Sequence, residues 1–135
     1  MELTKLYNIA ERENIDIINF KMKNKAIIER IDKEYYIGLN YSKIESVTEE
    51  KELLAEELGH YYCNAFYNSN SDFSTISKKE YRANKWKCTV LVSANDFIDA
   101  FKKGLKNIYE IAEYLNLSED TVAFAYNYYK ENSFF

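Results

Sequence analysis

The 135-residue chain contains no proline, only three glycines, two cysteines and one histidine. Because proline and glycine are the residues that mark tight turns, their scarcity favours long helices. Two cysteines, Cys63 and Cys88, do not make a disulfide framework, which fits a reducing compartment. No apolar run approaches the roughly 20 residues of a membrane span, and the segment after Met1 lacks the features of a signal sequence. We therefore expect a cytoplasmic protein that makes no membrane contact.

The charge of the chain is nearly balanced. Its 18 basic and 22 acidic residues give a net charge of −4 and are interspersed along the sequence. This distribution argues against a phosphate backbone as the main partner. Hydrophobic residues make up 47% of the chain, enough for one core but not for two independent ones. We predict a single domain over residues 1–135, with an N-terminal part over 1–66 and a helical C-terminal half over 78–131.

Apolar spacing and capping residues predict the order of elements. A helix is expected over residues 2–14, a strand over 15–20, and a β-hairpin over 26–40 that turns at Asp32 and Lys33. A capping box at Ser46 and Glu49 begins a helix that runs to about residue 66. Residues 67–77 are rich in Asn and Ser and predict a surface loop. The remaining expected helices cover residues 77–91, 95–101 with Gly104 at its end, 107–115 and 118–131. The predicted fold class is α+β, mainly helical, with a small antiparallel sheet.

The helix after Ser46 carries the sequence Glu56-Glu57-Leu58-Gly59-His60, which is similar to the H-E-x-x-H motif of zinc peptidases. Glu56 stands where that motif has its first histidine. Positions 56 and 60 lie one turn apart on one helix face, so their side chains can bind a single metal ion. Glu57 occupies the position of the general base, which holds a water molecule. Cys63 is a rival ligand three residues after His60, and the alternative for this cysteine is an inert buried thiol.

The order of elements and these residues together resemble the ImmA/IrrE family of metallo-endopeptidases, in particular its short members from phages and mobile elements. In that family the motif helix is followed by a loop and by a helix that opens with an acidic ligand and then a small residue, here Glu80 and Ala83. The resemblance implies a zincin-like domain in which Glu56, His60 and Glu80 bind Zn²⁺ and Glu57 activates water. It also implies a protein substrate, a helix-turn-helix repressor of a mobile element that is cleaved or inactivated.

Two residues depart from the family pattern. Glu56 in place of histidine brings a second negative charge to the ligand set, which makes the ion acidify water less and favours Mn²⁺ or Fe²⁺ beside zinc. Ser93 stands where a proline usually follows the third helix. Glu80 has an alternative role as well, because it completes a capping box with Ser77. The altered first ligand leaves open a catalytically silent protein that binds a repressor without cutting it.

Residues 111–122 have the spacing of a helix-turn-helix motif, which predicts DNA binding as a rival function. The second helix of this pair opens with Glu119 and Asp120, whose charges would be repelled by phosphates. Its aromatic residues suit packing or a protein partner better, and we expect no direct contact with nucleic acid. An extended protein substrate is expected along the hairpin edge near Tyr36 and Gly38.

Overall fold

The computed structural model describes residues 1–63 and 72–135. In these residues the chain forms six α-helices, three strands and a short 3-10 turn at Tyr41–Lys43. The regular elements are α1 (Leu3–Arg12), β1 (Ile15–Asn19), β2 (Ala26–Ile31), β3 (Glu34–Leu39), α2 (Val47–Tyr62), α3 (Phe73–Leu91), α4 (Ala94–Lys102), α5 (Ile108–Leu115) and α6 (Glu119–Glu131). The prediction of a mainly helical α+β fold is confirmed.

The three strands form one sheet in the order β1-β3-β2. Strands β2 and β3 are the predicted antiparallel hairpin, and its turn residues Asp32 and Lys33 both have positive φ, as a two-residue type I′ turn requires. Strand β1 runs parallel to β3, with Ile17 opposite Ile37, so the sheet is mixed and not purely antiparallel. A parallel pairing joins segments that are distant in sequence and leaves no local turn signal.

Helix α2 lies between the sheet and the C-terminal helices, since it contacts β2 on one side and α3 on the other. Ile37 and Leu39 of β3, and Leu54 and Leu58 of α2, are fully buried. Each such side chain stabilises the fold by about 1.5–3 kcal/mol. The core continues through the C-terminal half, where its buried members are Cys88, Leu91, Val92, Phe97, Ala100, Ile111, Ala112, Leu117, Val122, Ala125 and Tyr129. The motif helix is therefore held in place from two sides.

The start of α2 is set by Ser46, whose hydroxyl accepts a hydrogen bond from the Glu49 amide at 3.0 Å. The Glu49 carboxylate accepts from the Glu45 amide at 3.1 Å, so the predicted capping box is only half formed. Helix α2 ends at Tyr62, and Cys63 is its C-cap. The predicted end near residue 66 lies outside the described residues.

Helix α3 begins earlier than its predicted start at residue 77. Asp72 is the N-cap, and its carboxylate accepts from the Thr75 amide at 2.7 Å. Residues 73–77, expected in a loop, are therefore helical, while residues 64–71 lie outside the described part of the chain. Both Asp72 and Ser77 are favourable N-cap residues, and sequence alone does not rank them. Since Ser77 is inside the helix, Glu80 does not serve in an N-terminal capping box.

Helix α4 begins at Ala94 and ends at Lys102, each within one residue of its predicted bounds. Ser93 and Asp96 form a complete capping box at the start of α4, which explains how the chain turns there without proline. Gly104 follows the α4 C-cap with a φ of 84°, and the Leu105 amide donates to the carbonyl of Ala100. This is the hydrogen bonding of a Schellman motif.

Candidate metal centre

Helices α2 and α3 are in close backbone contact where Gly59 faces Ala83. A Cβ atom at residue 59 would lie 2.5 Å from the carbonyl oxygen of Ala83 and 3.2 Å from its carbonyl carbon. Only glycine at this position allows the two helix backbones to come so near. His60 follows Gly59 on α2, and Glu80 precedes Ala83 by almost one turn on α3. The close contact therefore brings His60 and Glu80 to the same place between the helices.

Glu56, His60 and Glu80 each offer one ligand atom, and these three atoms lie within 4.8 Å of one another. The Nε2 atom of His60 is 3.6 Å from Oε1 of Glu80. Two atoms bound to a tetrahedral zinc ion at about 2.1 Å are separated by roughly 3.4 Å, so the spacing fits one ion. The His60 side chain is 12% exposed, whereas Glu56 and Glu80 are 40% and 39% exposed. The site is thus open toward solvent on its carboxylate side.

Glu57 lies next to this group but is not part of it. Burial raises the pKa of Glu57 from its ordinary value of 4.5 to about 7. His60 opposes the rise, while the carboxylates of Glu56 and Glu80 add to it. A carboxyl group with a pKa near 7 exchanges protons readily at neutral pH, as a general base must. The placement and the raised pKa both suit the role that the sequence predicts for Glu57.

Cys63, the rival ligand, points elsewhere. Its sulfur donates a hydrogen bond to the carbonyl oxygen of Arg82 at 3.3 Å, and it is not a member of the ligand cluster found among the described residues. Burial raises the pKa of the Cys63 thiol, which disfavours the thiolate that binds metals. The inert interpretation of this cysteine is the one that the structure supports.

Two residues near the site have no place in the sequence prediction. Lys87 of α3 lies 3.9 Å from Oε2 of Glu56 and 3.8 Å from Oε1 of Glu52, measured from Nζ. Glu52 is a buried carboxylate one turn before Glu56. The only signals for them in the sequence are the spacing of four residues from Glu52 to Glu56 and of seven from Glu80 to Lys87. Both spacings are common on solvated helices, so they carry little weight.

A cleft of about 920 Å³ extends beside the motif helix, between α1, β1 and β3. Tyr61 lines it, one turn beyond Glu57 on the same face of α2. The hydroxyl of Tyr61 donates to Glu13 at 3.0 Å, and its ring meets that of Tyr35 edge-on. The cleft has four acidic lining residues and one basic one, namely Glu11, Glu13, Asp16, Glu34 and Lys33.

The prediction that an extended substrate lies along the hairpin edge near Tyr36 and Gly38 is wrong. Both residues belong to β3, which is the central strand and pairs with β1 on one side and β2 on the other. The backbone groups of a central strand are already engaged, so no further strand can be added there. Strand β1 was predicted, but its parallel pairing with β3 was not, and this pairing covers the edge that an isolated hairpin would leave open.

The helix-turn-helix pair corresponds to α5 and α6, joined through Asn116 in the left-handed conformation. Glu119 and Asp120 at the start of α6 are exposed. Their negative charges would therefore repel the phosphates of a DNA backbone. Tyr129 is buried, and its hydroxyl donates to the carbonyl oxygen of Val92. The aromatic residues Phe124, Tyr126 and Tyr128 are partly buried against the core. Helix α6 therefore uses its aromatic side mainly for packing within the molecule.

A peptidase family model described as the IrrE N-terminal-like domain matches residues 10–127. The chain belongs to this family. The match includes the motif helix α2, the ligand-bearing part of α3 and most of α6, so the metallopeptidase-like fold extends over nearly the whole sequence. No curated protein and no solved structure matches the chain. Among the described helices of this family member, none has the length and apolar character needed to cross a membrane.

Proposed function

We propose that this member of the IrrE N-terminal-like family is a metal-dependent endopeptidase. The observation that carries the proposal is the cluster of Glu56, His60 and Glu80, whose ligand atoms lie within 4.8 Å of one another beside Glu57. Three protein ligands with an open side are the arrangement of catalytic zinc sites, whereas structural sites are closed by four. Zn²⁺ is the proposed ion, and the two carboxylates also suit Mn²⁺ or Fe²⁺.

Each residue of the site has a separate task. The bound ion would supply Lewis acidity, polarising the substrate carbonyl and acidifying the attacking water. Glu56, His60 and Glu80 hold the ion between two helices that the Gly59 contact fixes relative to each other. Glu57 takes the proton of the water on its carboxylate and passes it to the leaving amine. In the metal-free protein, burial raises the pKa of Glu57 to about 7, which favours proton uptake by this carboxylate.

The proposed substrate is a protein segment, and the acidic cleft supports one with basic character. Four carboxylates line the cleft next to Tyr61, against one lysine, so a segment rich in Lys or Arg would be attracted to it. The volume of about 920 Å³ accommodates several residues of an extended chain. We propose a helix-turn-helix repressor of a mobile element as this substrate, in keeping with the family resemblance and with the basic composition of DNA-binding domains.

The test uses the purified protein with Zn²⁺ and a helix-turn-helix repressor from the same genome, with cleavage followed by mass spectrometry. Glu57→Gln should retain the fold and the metal but lose cleavage, because the amide cannot accept the proton of water. His60→Ala should lose both metal and cleavage. Glu13→Gln, on the cleft wall away from the ligands, should keep metal affinity and raise KM for a basic substrate. An active Glu57→Gln variant would rule out the proposed chemistry.

A second candidate function is binding of the repressor without cleavage. The ligand Glu56 favours it, because a Glu-His-Glu set carries two negative charges where His-His-Glu carries one, and this weakens the acidification of water. The same assay separates the two functions. A silent protein would co-purify with the intact repressor, and Glu57→Gln would leave that association unchanged.

A further inference from the structure

Lys87 lies between two carboxylates of the motif helix. Its side chain is 14% exposed, and its Nζ is 3.8 Å from Oε1 of Glu52 and 3.9 Å from Oε2 of Glu56. Glu52 and Glu56 occupy successive turns of α2, and Lys87 approaches them from α3. Lysines with so little exposure to solvent usually have their charge paired. The two carboxylates are the ion-pair partners of Lys87 among the described residues.

Glu52 is the fixed end of this arrangement. Its carboxylate accepts hydrogen bonds from the amide and the hydroxyl of Ser118, both at 2.7 Å, and from the hydroxyl of Thr121. Ser118 is the N-cap of α6, so Glu52 also faces the positive end of that helix dipole. With so many donors the carboxylate has one orientation. Lys87 is thereby held at a defined place next to Glu56.

Unlike Glu52, Glu56 accepts no hydrogen bond from an amide or hydroxyl group among the residues that the structure describes. Its side chain is 40% exposed, and a free glutamate would spend its time among several rotamers. A ligating histidine is normally fixed by a hydrogen bond from its second ring nitrogen to a neighbouring group. A glutamate at that place needs a different device, one that fixes a carboxylate and offsets its additional charge. Lys87 has both properties.

We propose that Lys87 is a positioning residue for Glu56, which lets a carboxylate take the place of the first histidine. This inference rests on the metal site proposed above. Lys87 lies 3.9 Å from Oε2 of Glu56, and one oxygen of the same carboxylate lies within 4.8 Å of the ligand atoms of His60 and Glu80. The positive charge of Lys87 is shared with Glu52, so it offsets part of the additional negative charge that Glu56 brings to the ligand set.

A double-mutant cycle on Zn²⁺ affinity tests the proposal. The dissociation constant is measured by competition with a chromophoric chelator for the wild type, Lys87→Met, Glu56→His and the double variant. In the Glu56→His background Lys87 has no carboxylate to position, so Lys87→Met only relieves its repulsion of the cation. With Glu56 present, the same change also frees the ligand. We express the effect of Lys87→Met as the factor by which it raises the Zn²⁺ dissociation constant. This factor should be at least about fivefold larger with Glu56 than with histidine at residue 56.

Control variants separate positioning from folding. Lys87→Arg keeps the charge, so its Zn²⁺ dissociation constant should be within about twofold of the wild-type value. Lys78→Met removes an exposed lysine from the same helix and should leave the Zn²⁺ dissociation constant unchanged. Circular dichroism and urea unfolding of the metal-free proteins show whether each variant is folded. If Lys87→Met does not fold because Glu52 loses its counter-charge, the cycle is repeated with Glu52→Gln in all four proteins.

Two results would overturn the inference, and they are distinguishable. If wild type and Glu56→His bind Zn²⁺ but Lys87→Met has the same effect in both, within about twofold, Lys87 does not position Glu56 while the metal site stands. If neither protein binds Zn²⁺, the metal site and the role of Lys87 fail together.

Discussion

Gly59→Ala is the substitution that most directly tests how the site is built. In an ordinary helix this change stabilises a protein by about 1 kcal/mol, because alanine is the better helix former. At residue 59 the new Cβ would lie 2.5 Å from the carbonyl oxygen of Ala83, which is 0.9 Å inside the 3.4 Å where ordinary contact begins. Forced overpacking costs about 1–3 kcal/mol. The expected result is the loss of this stabilisation, with a net destabilisation of up to about 2 kcal/mol.

The clash at residue 59 should also push α2 away from α3 and so alter the metal site. Separating α2 from α3 by close to 1 Å also separates His60 from Glu80, now 3.6 Å apart, so Zn²⁺ affinity should fall about tenfold or more. Urea unfolding of the metal-free protein and a chelator competition provide the two readouts. Gly38→Ala is the matched control, because its Cβ would meet only side-chain atoms and none closer than 3.3 Å, namely those of Ile27, Met22 and Phe20. A Gly59→Ala protein as stable as the wild type, with unchanged affinity, would refute the close-contact argument.

Three further predictions concern Glu57, Glu52 and the α6 end. Because burial raises the pKa of Glu57 to about 7, the metal-free protein should lose stability as the pH rises from 4.5 through 7. Urea unfolding across pH should then show Glu57→Gln to be more stable than wild type by about 1–3 kcal/mol at pH 8 and equally stable below pH 4.5. Free energies of unfolding that depend on pH in the same way for both proteins would contradict this. Glu52→Ala should cost about 3 kcal/mol in the same assay, since the Ser118 amide and hydroxyl lose their acceptor, and a loss below about 1 kcal/mol would show that the buried carboxylate is dispensable. Fluorescence anisotropy should detect no salt-sensitive DNA binding, because the exposed Glu119 and Asp120 open α6, and micromolar binding lost with added salt would restore the DNA-binding interpretation.

What could be predicted from the sequence was local. The hairpin turn at Asp32 and Lys33, the cap at Ser46 and the helix end at Gly104 each depend on a few neighbouring residues, and the structure has all three. The spacing of Glu56 and His60 is local as well, because one helix turn brings them together. The family pattern, and not the spacing of residues, predicts Glu80 as the third ligand. The structure places Glu80 beside Glu56 and His60.

What could not be predicted depends on contacts between distant segments. The parallel pairing of β1 with β3 gives no turn signal, and its omission led to the wrong substrate edge. The start of α3 was misplaced because Asp72 and Ser77 are equivalent N-cap residues until the whole helix is packed. Lys87 is one of many lysines in the sequence, and only the packing of α3 against α2 distinguishes it.

His60 and Glu80 stand on different helices, and 20 residues of sequence separate them. A cation held by both would close a ring of that length, as a covalent cross-link does, in a chain whose cysteines are both free. Restricting the unfolded chain in this way corresponds to about 3 kcal/mol for a ring of such size. Unlike a disulfide, the link would be reversible and set by the concentration of free metal. The metal bound at the proposed catalytic site would then also stabilise the fold. The concentration of free metal would set the stability of the protein as well as its activity.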